Sequence, residues 1–180
     1  VLFIGNSFTF EHNVPGLVRA LAAEAGIEAA AVPRSDYANK GAFETALDQA
    51  LRQAGATTIA LAGFMRILSG GFVARWQGRI LNIHPSLLPA FRGLDTHARA
   101  LAAGVKLHGA TVHIVTETLD DGPILAQAAV PVCEGDDEAT LAARVLATEH
   151  ALYPAALARF LARQTLPPAS APLFNPPLPA

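Results

Sequence analysis

Apolar runs alternate with stretches of helical spacing along most of this chain. A short continuous apolar run, which is typical of a strand buried on both faces, occurs at residues 1–4. Further strands are expected at residues 27–32, 57–62 and 79–83. Helical stretches are expected at residues 14–25, 42–54, 72–76, 96–103 and 137–160, where apolar side chains recur along one face. This alternation predicts an α/β fold with a mostly parallel sheet and flanking helices.

The second half of the chain departs from that simple alternation. Apolar and polar residues alternate over residues 110–115, which indicates a strand with one face toward water. Another strand is expected at residues 124–132, and the acidic segment between the two favours a hairpin with a broad loop. Proline is frequent beyond residue 166. We therefore expect one domain over residues 1–165 and an extended proline-rich tail over residues 166–180 that adds little to the core.

Composition narrows the classes of function. Hydrophobic residues make up 52% of the 180 residues, which is enough for a buried core and excludes a disordered chain. A net charge of −2 argues against binding nucleic acid by charge. No apolar run reaches the roughly 18 residues of a membrane span, so no membrane partner is expected. The single cysteine, Cys133, excludes an internal disulfide and fits a cytoplasmic location.

The end of the strand at residues 79–83 carries the first candidate chemistry. Asn82 and His84 are two positions apart, so they share a face of that strand, and ligands of such sheets bind beyond the carboxyl ends of the strands. An amide donor beside an imidazole suits a reaction that develops negative charge on a carbonyl oxygen. The alternative is that both residues only cap the following loop.

Two adjacent carboxylates in the predicted hairpin loop form the second candidate. Asp120 and Asp121 precede a Gly-Pro pair, which is typical of a solvated turn. Alternatively, one of the two carboxylates points inward and orients or protonates His84. The histidines show no metal-ligand spacing, and we expect no metal.

Four segments together carry a family resemblance. They are Ala60-Leu-Ala-Gly-Phe-Met-Arg-Ile-Leu68, Asn82-Ile-His-Pro-Ser-Leu-Leu-Pro-Ala-Phe-Arg-Gly93, His108-Gly-Ala-Thr-Val-His113 and Leu119-Asp-Asp-Gly-Pro-Ile124. In order and spacing, residues 22–165 resemble the phosphoribosylglycinamide formyltransferases. The resemblance implies a Rossmann-like formyltransferase fold.

The resemblance also implies a reaction and a set of site residues. Formyl would pass from 10-formyltetrahydrofolate, as co-substrate, to the amine of glycinamide ribonucleotide in purine biosynthesis. Asn82, His84 and Asp120 match the catalytic residues of the family. Met65, Arg66, Ile67 and Leu68 match its folate-binding segment, and Gly5, Asn6, Pro85 and Glu149 match or adjoin substrate-binding positions. The implied partners are these small molecules alone.

The first 21 residues depart from the family pattern. Gly5 and Asn6 match the phosphate-binding loop, but Ser7 replaces a glycine, and one βα unit of the family is missing from this region. We expect the first strand to lie between the strands at residues 57–62 and 27–32. The opening instead resembles an SGNH-type esterase with Ser7 as nucleophile, although no histidine follows an aspartate in the spacing such an esterase needs. A formyltetrahydrofolate hydrolase and an inactive remnant remain alternatives.

The altered phosphate loop gives a prediction for ligand binding. We expect folate to bind normally and glycinamide ribonucleotide to bind more weakly by orders of magnitude, because two or three charge-assisted hydrogen bonds at ~1.5–3 kcal/mol each are lost. Calorimetric titration with each ligand measures both affinities. Tight binding of the ribonucleotide would show that residues 5–10 still form a working phosphate loop.

Overall fold

The computed structural model describes residues 2–4, 32–64, 66–163 and 173–174. The strands are β1 (Leu2–Ile4), β2 (Ile59–Leu61), β3 (Ile80–His84), β4 (Leu107–Ile114), β5 (Ile124–Pro131) and β6 (Leu173–Phe174). The helices are α1 (Lys40–Gln53), α2 (Gly70–Arg75), α3 (Thr96–Ala102) and α4 (Glu138–Arg163), with a 3-10 helix at Arg34–Asp36. Every element predicted wholly within these ranges is present, with ends shifted by a few residues.

One mixed sheet runs through the described part of the chain in the order β1-β2-β3-β4-β5-β6. The pairs β1–β2, β2–β3 and β5–β6 are parallel, whereas β3–β4 and β4–β5 are antiparallel. The α/β class is confirmed. Three of the five described strand pairs are parallel, and the two antiparallel pairs arise because the predicted hairpin of β4 and β5 joins the sheet beside β3.

Some predictions concern the N-terminal region, which is largely outside the described residues. The pairing of β1 with β2 confirms one predicted neighbour of the first strand. The helix at 14–25, most of the strand at 27–32 and the missing βα unit lie outside the described residues. Val32 is described and is not part of a strand.

Two residues of the predicted proline-rich tail belong to the sheet. Leu173 and Phe174 pair in parallel with Ala126 and Gln127 of β5. An edge strand offers unpaired backbone groups, so a short segment can add to it through main-chain pairing. The division into a domain and a tail itself stays a prediction.

Helices cover both faces of the sheet because alternate strand residues point in opposite directions. Ile59 and Leu61 of β2 face a cluster built on α1 and α2, whereas Ala60 between them faces a cluster built on α4. The first cluster contains Phe43, Leu47, Leu51, Phe72, Trp76 and Ile80. The second contains Ala110, Val112, Ala128, Leu141, Val145 and Leu152, among others.

Tyr153 ties α4 to the middle of the sheet. Its side chain is buried, and its hydroxyl lies 2.8 Å from the carbonyl oxygen of Leu61 and 3.2 Å from that of Leu81. A hydroxyl has one hydrogen to donate, so the two carbonyls share it. The helix is thereby fixed to the last residue of β2 and to the second residue of β3.

This bond predicts a stability difference between the two tyrosines of the chain. We expect Tyr153→Phe to lower the free energy of unfolding by about 1–3 kcal/mol, because buried carbonyls lose their donor. Tyr37→Phe is the matched control, since the half-buried Tyr37 ring keeps its edge contact with Phe43. That variant is expected to change stability by less than about 0.5 kcal/mol. Urea unfolding measures both, and equal losses would contradict the role given to Tyr153.

Candidate functional site

The carboxyl end of β3 presents the Asn-x-His pair beside β4. In the antiparallel register, Asn82 lies opposite His113 and His84 lies opposite Thr111. His84 is buried and Asn82 is half-buried, so both side chains are held by their surroundings. The strand-end position predicted for the pair is therefore the observed one.

Asp120 comes to this pair from the loop between β4 and β5. Its Oδ2 lies 3.4 Å from Nδ1 of His84, and its Oδ1 lies 3.7 Å from Nε2 of His113. The backbone N–H of Gly93 donates to Oδ2 at 2.9 Å. The structure thus places a buried carboxylate between two imidazoles, as the sequence predicts for His84 and Asp120.

The loop geometry decides which of the two adjacent aspartates points inward. Asp120 has a left-handed backbone conformation, with φ 50°, and its side chain is buried. Asp121 is exposed and pairs with Arg92. The backbone of Gly122 packs closely against Ile114, because a Cβ at residue 122 would lie 1.7 Å from the carbonyl oxygen of Ile114. The chain can turn tightly behind Asp120 only with glycine at this position.

Both ring nitrogens of His84 face oxygen acceptors. Nδ1 faces the carboxylate of Asp120, and Nε2 lies 3.0 Å from the carbonyl oxygen of Phe91. Each oxygen can only accept, so the ring donates to both only when it carries two protons. The arrangement suits a histidine that acts as a cation or as a proton donor.

His113 is a site residue that the sequence reasoning missed. Its Nδ1 lies 3.1 Å from the carbonyl oxygen of Ile114, which places the proton on that nitrogen and leaves Nε2 as an acceptor. Nε2 lies 3.3 Å from Nδ2 of Asn82 and therefore fixes how the Asn82 amide is turned. Burial lowers the pKa of His113, which favours this neutral form. Only knowledge of the strand pairing could have revealed the contact.

A buried hydrogen-bond network holds the loop that follows His84. The Thr111 hydroxyl donates to the carbonyl oxygen of Ser86 at 2.6 Å and accepts from the backbone N–H of Leu88 at 3.0 Å. The Gln127 amide donates to the Leu88 carbonyl oxygen at 2.9 Å. The loop leading to Phe91 is thereby fixed to β4 and β5, and the Phe91 carbonyl is held near His84.

Two further histidines support this loop from the side of α3. Nε2 of His108 lies 3.2 Å from Nδ1 of His97, and the His108 ring packs edge-on against Phe91. Burial lowers the pKa of His108 to about 4, so this ring is neutral near pH 7. We assign this pair to packing of the loop.

A cleft lies between α1 and the segment that follows β2. Its cavity volume is about 410 Å³. The lining residues are Arg34, Lys40, Phe43, Glu44, Phe64, Arg66, Ile67 and Leu68. Leu61 at the end of β2 pairs with Asn82, so the segment starts next to the site. The cleft therefore combines apolar and aromatic walls with the cations of Arg34, Lys40 and Arg66. Glu44 partly offsets the charge of Lys40.

Glu149 lies on α4, one helical turn before Tyr153. Because α4 packs back over the sheet after β5, its turns before Tyr153 lie toward the carboxyl end of β3. Glu149 is half-buried, and burial raises the pKa of its carboxyl to about 7. The Glu149 carboxyl can thus change charge near neutral pH.

The remaining predicted residues divide into described and undescribed ones. Pro85 follows His84 and is half-buried, while Arg66, Ile67 and Leu68 line the cleft. Gly5, Asn6 and Met65 lie outside the described residues. Within the described ranges, no group of three or more His, Cys, Asp or Glu side chains could hold a metal ion. Among the helices described, none has the length and apolarity needed to cross a membrane.

Comparison with known proteins agrees with the resemblance seen in the sequence. The family model described as formyl transferase matches residues 8–157. The chain is 46% identical over 153 residues to the phosphoribosylglycinamide formyltransferase of Escherichia coli K12, covering 85% of this chain and 71% of that protein. It is 49% identical over 144 residues to the trifunctional purine biosynthetic protein adenosine-3 of Bos taurus, covering 80% of this chain and 14% of that protein.

Solved structures show the same similarity. The crystal structure of phosphoribosylglycinamide formyltransferase from Brucella melitensis superposes with a TM-score of 0.75 at 60% identity. The match covers 82% of this chain and 74% of that one.

The buried Glu149 carboxyl predicts a pH-dependent stability. Its pKa is raised to about 7 from 4.5, so the folded state favours the neutral form and loses stability as the pH rises through that range. We expect Glu149→Gln to gain stability relative to the unmodified protein between pH 5 and pH 8, by at most about 3 kcal/mol. Urea unfolding at both pH values gives the difference. A stability difference that does not change with pH would refute a buried, titrating carboxyl.

Proposed function

Because the chain belongs to the formyl transferase family, we propose that it moves a formyl group from 10-formyltetrahydrofolate to the amine of glycinamide ribonucleotide in purine biosynthesis. The observation that carries the proposal is the buried pair of His84 and Asp120, with the half-buried Asn82 on the same strand as His84, beside a cleft with apolar and cationic walls. The chain spans 14% of the trifunctional protein of Bos taurus and 71% of the Escherichia coli enzyme. We also propose a cytoplasmic location for the protein, because both proposed substrates are soluble and charged.

The reaction joins an amine to a formyl carbon and releases another amine. The acceptor nitrogen attacks the formyl carbon, and the formyl oxygen becomes negatively charged in a tetrahedral intermediate. The C–N bond to the folate then breaks, and the proton lost by the acceptor amine ends on the folate nitrogen. An enzyme lowers this barrier mainly by stabilising the oxyanion and by moving that proton.

The described side chains supply both needs. His84 Nε2 would donate to the formyl oxygen in place of the Phe91 carbonyl, which it contacts in the free protein. The second hydrogen of Asn82 Nδ2 would donate to the same oxygen, since the first is turned toward His113. Asp120 would hold the positive charge of His84 and take part in the proton transfer, directly or through water.

The cleft suits the two ends of a folate. The pterin and aminobenzoyl rings of the folate would pack against the aromatic and apolar walls of Phe43, Phe64 and Leu68, and backbone groups of residues 66–68 would hydrogen-bond to the pterin. The glutamate carboxylates of a folate suit the cations of the same cleft, Arg66 and Lys40 among them. We therefore place the formyl donor there, with Met65, Arg66, Ile67 and Leu68 as its binding segment.

The acceptor substrate belongs on the other side of the His84 imidazole. Glu149 would contact its amine or amide, and Pro85 would form the adjoining surface. Gly5 and Asn6 are proposed to contact the phosphate.

Formyl transfer by the purified protein tests the proposal. Glycinamide ribonucleotide and 10-formyltetrahydrofolate are supplied together, and a parallel reaction omits the amine. Formylated ribonucleotide that forms only with both substrates is the expected product. Loss of formyl at the same rate without the amine would identify a hydrolase, and no reaction in either case would identify a binding-only protein.

The two adjacent aspartates provide a matched test of the site. We expect His84→Ala and Asp120→Asn each to lower kcat by about 10²-fold or more, because each removes a group that moves a proton or holds the charge that does so. Asp121→Asn makes the same chemical change one residue away, on an exposed side chain. It is expected to change kcat less than about threefold, within the range of surface substitutions. Equal losses at residues 120 and 121 would remove Asp120 from the catalytic cluster.

A further inference from the structure

A glutamate is buried on the apolar side of α1. Glu44 is 4% exposed and packs among the residues that line the cleft. Acidic side chains are seldom this buried unless hydrogen bonds satisfy the carboxylate. The partners of Glu44 therefore indicate what the residue holds in place.

Both oxygens of Glu44 bind one residue, Ser69. The backbone N–H of Ser69 donates to Oε1 at 2.8 Å, and the Ser69 hydroxyl donates to Oε2. The same hydroxyl accepts from the backbone N–H of Phe72 at 3.2 Å, so Ser69 is also the N-cap of α2. The carboxylate thus fixes the point at which the preceding segment ends and α2 begins.

This link joins the two walls of the cleft. Lys40, Phe43 and Glu44 come from α1, whereas Arg66, Ile67 and Leu68 come from the segment that ends at Ser69. Glu44 connects α1 directly to the end of that segment. A shift of Ser69 would move Leu68 and its neighbours relative to α1 and change the width of the cleft.

We propose that Glu44 is a positioning residue for the formyl donor, because its carboxylate holds Ser69 and thereby sets the distance between the two walls of the cleft. The inference rests on the proposed function, since it assigns the cleft to the folate. Glu44 acts through Ser69, so its loss changes the binding of the donor and leaves the catalytic cluster intact.

A second carboxylate on α1 also links this helix to α2, but away from the cleft. Asp48 lies one turn after Glu44 and accepts from Nε1 of Trp76 at 2.7 Å, at the other end of α2. It also accepts from Nε of Arg52 at 2.9 Å. Asp48 therefore ties α1 to α2 as Glu44 does, but it contributes nothing to the lining of the cleft.

The experiment compares these two carboxylates. Glu44→Gln leaves one acceptor oxygen for the two Ser69 donors and is expected to raise the KM for 10-formyltetrahydrofolate by about tenfold. Its kcat and its KM for the ribonucleotide are expected to stay within about twofold. Glu44→Gln and Asp48→Asn are expected to lower the unfolding midpoint by similar amounts. Asp48→Asn is expected to leave the KM for 10-formyltetrahydrofolate unchanged. Effects of this size correspond to the loss of one charge-assisted hydrogen bond.

Two substitutions of Ser69 provide a second test, in which only the hydroxyl bonded to Glu44 is removed or kept. Ser69→Ala removes the hydroxyl and is expected to raise the donor KM, whereas Ser69→Thr keeps the hydroxyl and is expected to restore it. If the donor KM rises equally in Asp48→Asn, or if Glu44→Gln and Ser69→Ala lose stability without a change in donor KM, the inference is overturned.

A binding measurement separates this inference from the proposed function. Calorimetric titration with tetrahydrofolate, which carries no formyl group, reports on the cleft without catalysis. Failure of the unmodified protein to bind it would overturn the assignment of the cleft to folate, and this inference with it. Binding by the unmodified protein that is equally tight in Glu44→Gln would overturn the inference alone.

Discussion

Antiparallel pairing between β3 and β4 places His113 opposite Asn82, and the rest of the site depends on this register. Side chains of a strand alternate between its faces, so a slip of one residue would turn Asn82 and His84 away from His113 and from the Asp120 loop. The buried Thr111 hydroxyl opposes such a slip, because its bonds to Ser86 and Leu88 exist only in the observed register. Strand pairing and the polar network under the loop thus specify the same arrangement.

The Asp120 carboxylate is the buried charge around which the polar side chains of the site are arranged. Asp120 is in reach of two imidazoles and accepts a backbone hydrogen bond from Gly93. The Phe91 carbonyl orients the His84 ring, whose other nitrogen faces the Asp120 carboxylate. The His113 ring is held neutral by its hydrogen bond to the Ile114 carbonyl and by burial, which lowers its pKa. The two histidines are therefore suited to different tasks, proton transfer by His84 and orientation of an amide by His113.

Local patterns in the sequence identify much of the fold and part of the site. Sequence patterns predict the helices α1 to α4 and the strands β1 to β5, and the two-residue spacing of Asn82 and His84 predicts that they share a face. The family prediction is confirmed by the comparisons. The roles of individual residues in catalysis stay predictions that the proposed variants test.

Long-range and backbone features account for what the sequence could not reveal. The choice of Asp120 over Asp121 depends on a left-handed backbone angle, and the role of His113 depends on a strand register. Glu44 is an acidic residue on a buried helix face, where an amphipathic pattern predicts an apolar one. Each of these features follows from contacts between segments that are distant in the chain.

Gly122 limits how the loop between β4 and β5 can diverge over evolutionary time. Its Cα lies against the Ile114 carbonyl, and Pro123 accepts a hydrogen bond from the Ile114 N–H, so the stretch after Asp120 tolerates neither a larger residue nor an insertion. Glu117, Thr118 and Leu119, just before it, are exposed. Insertions and sequence drift can therefore accumulate on this outer arm and change the rim of the site, while the inner turn keeps the carboxylate in place.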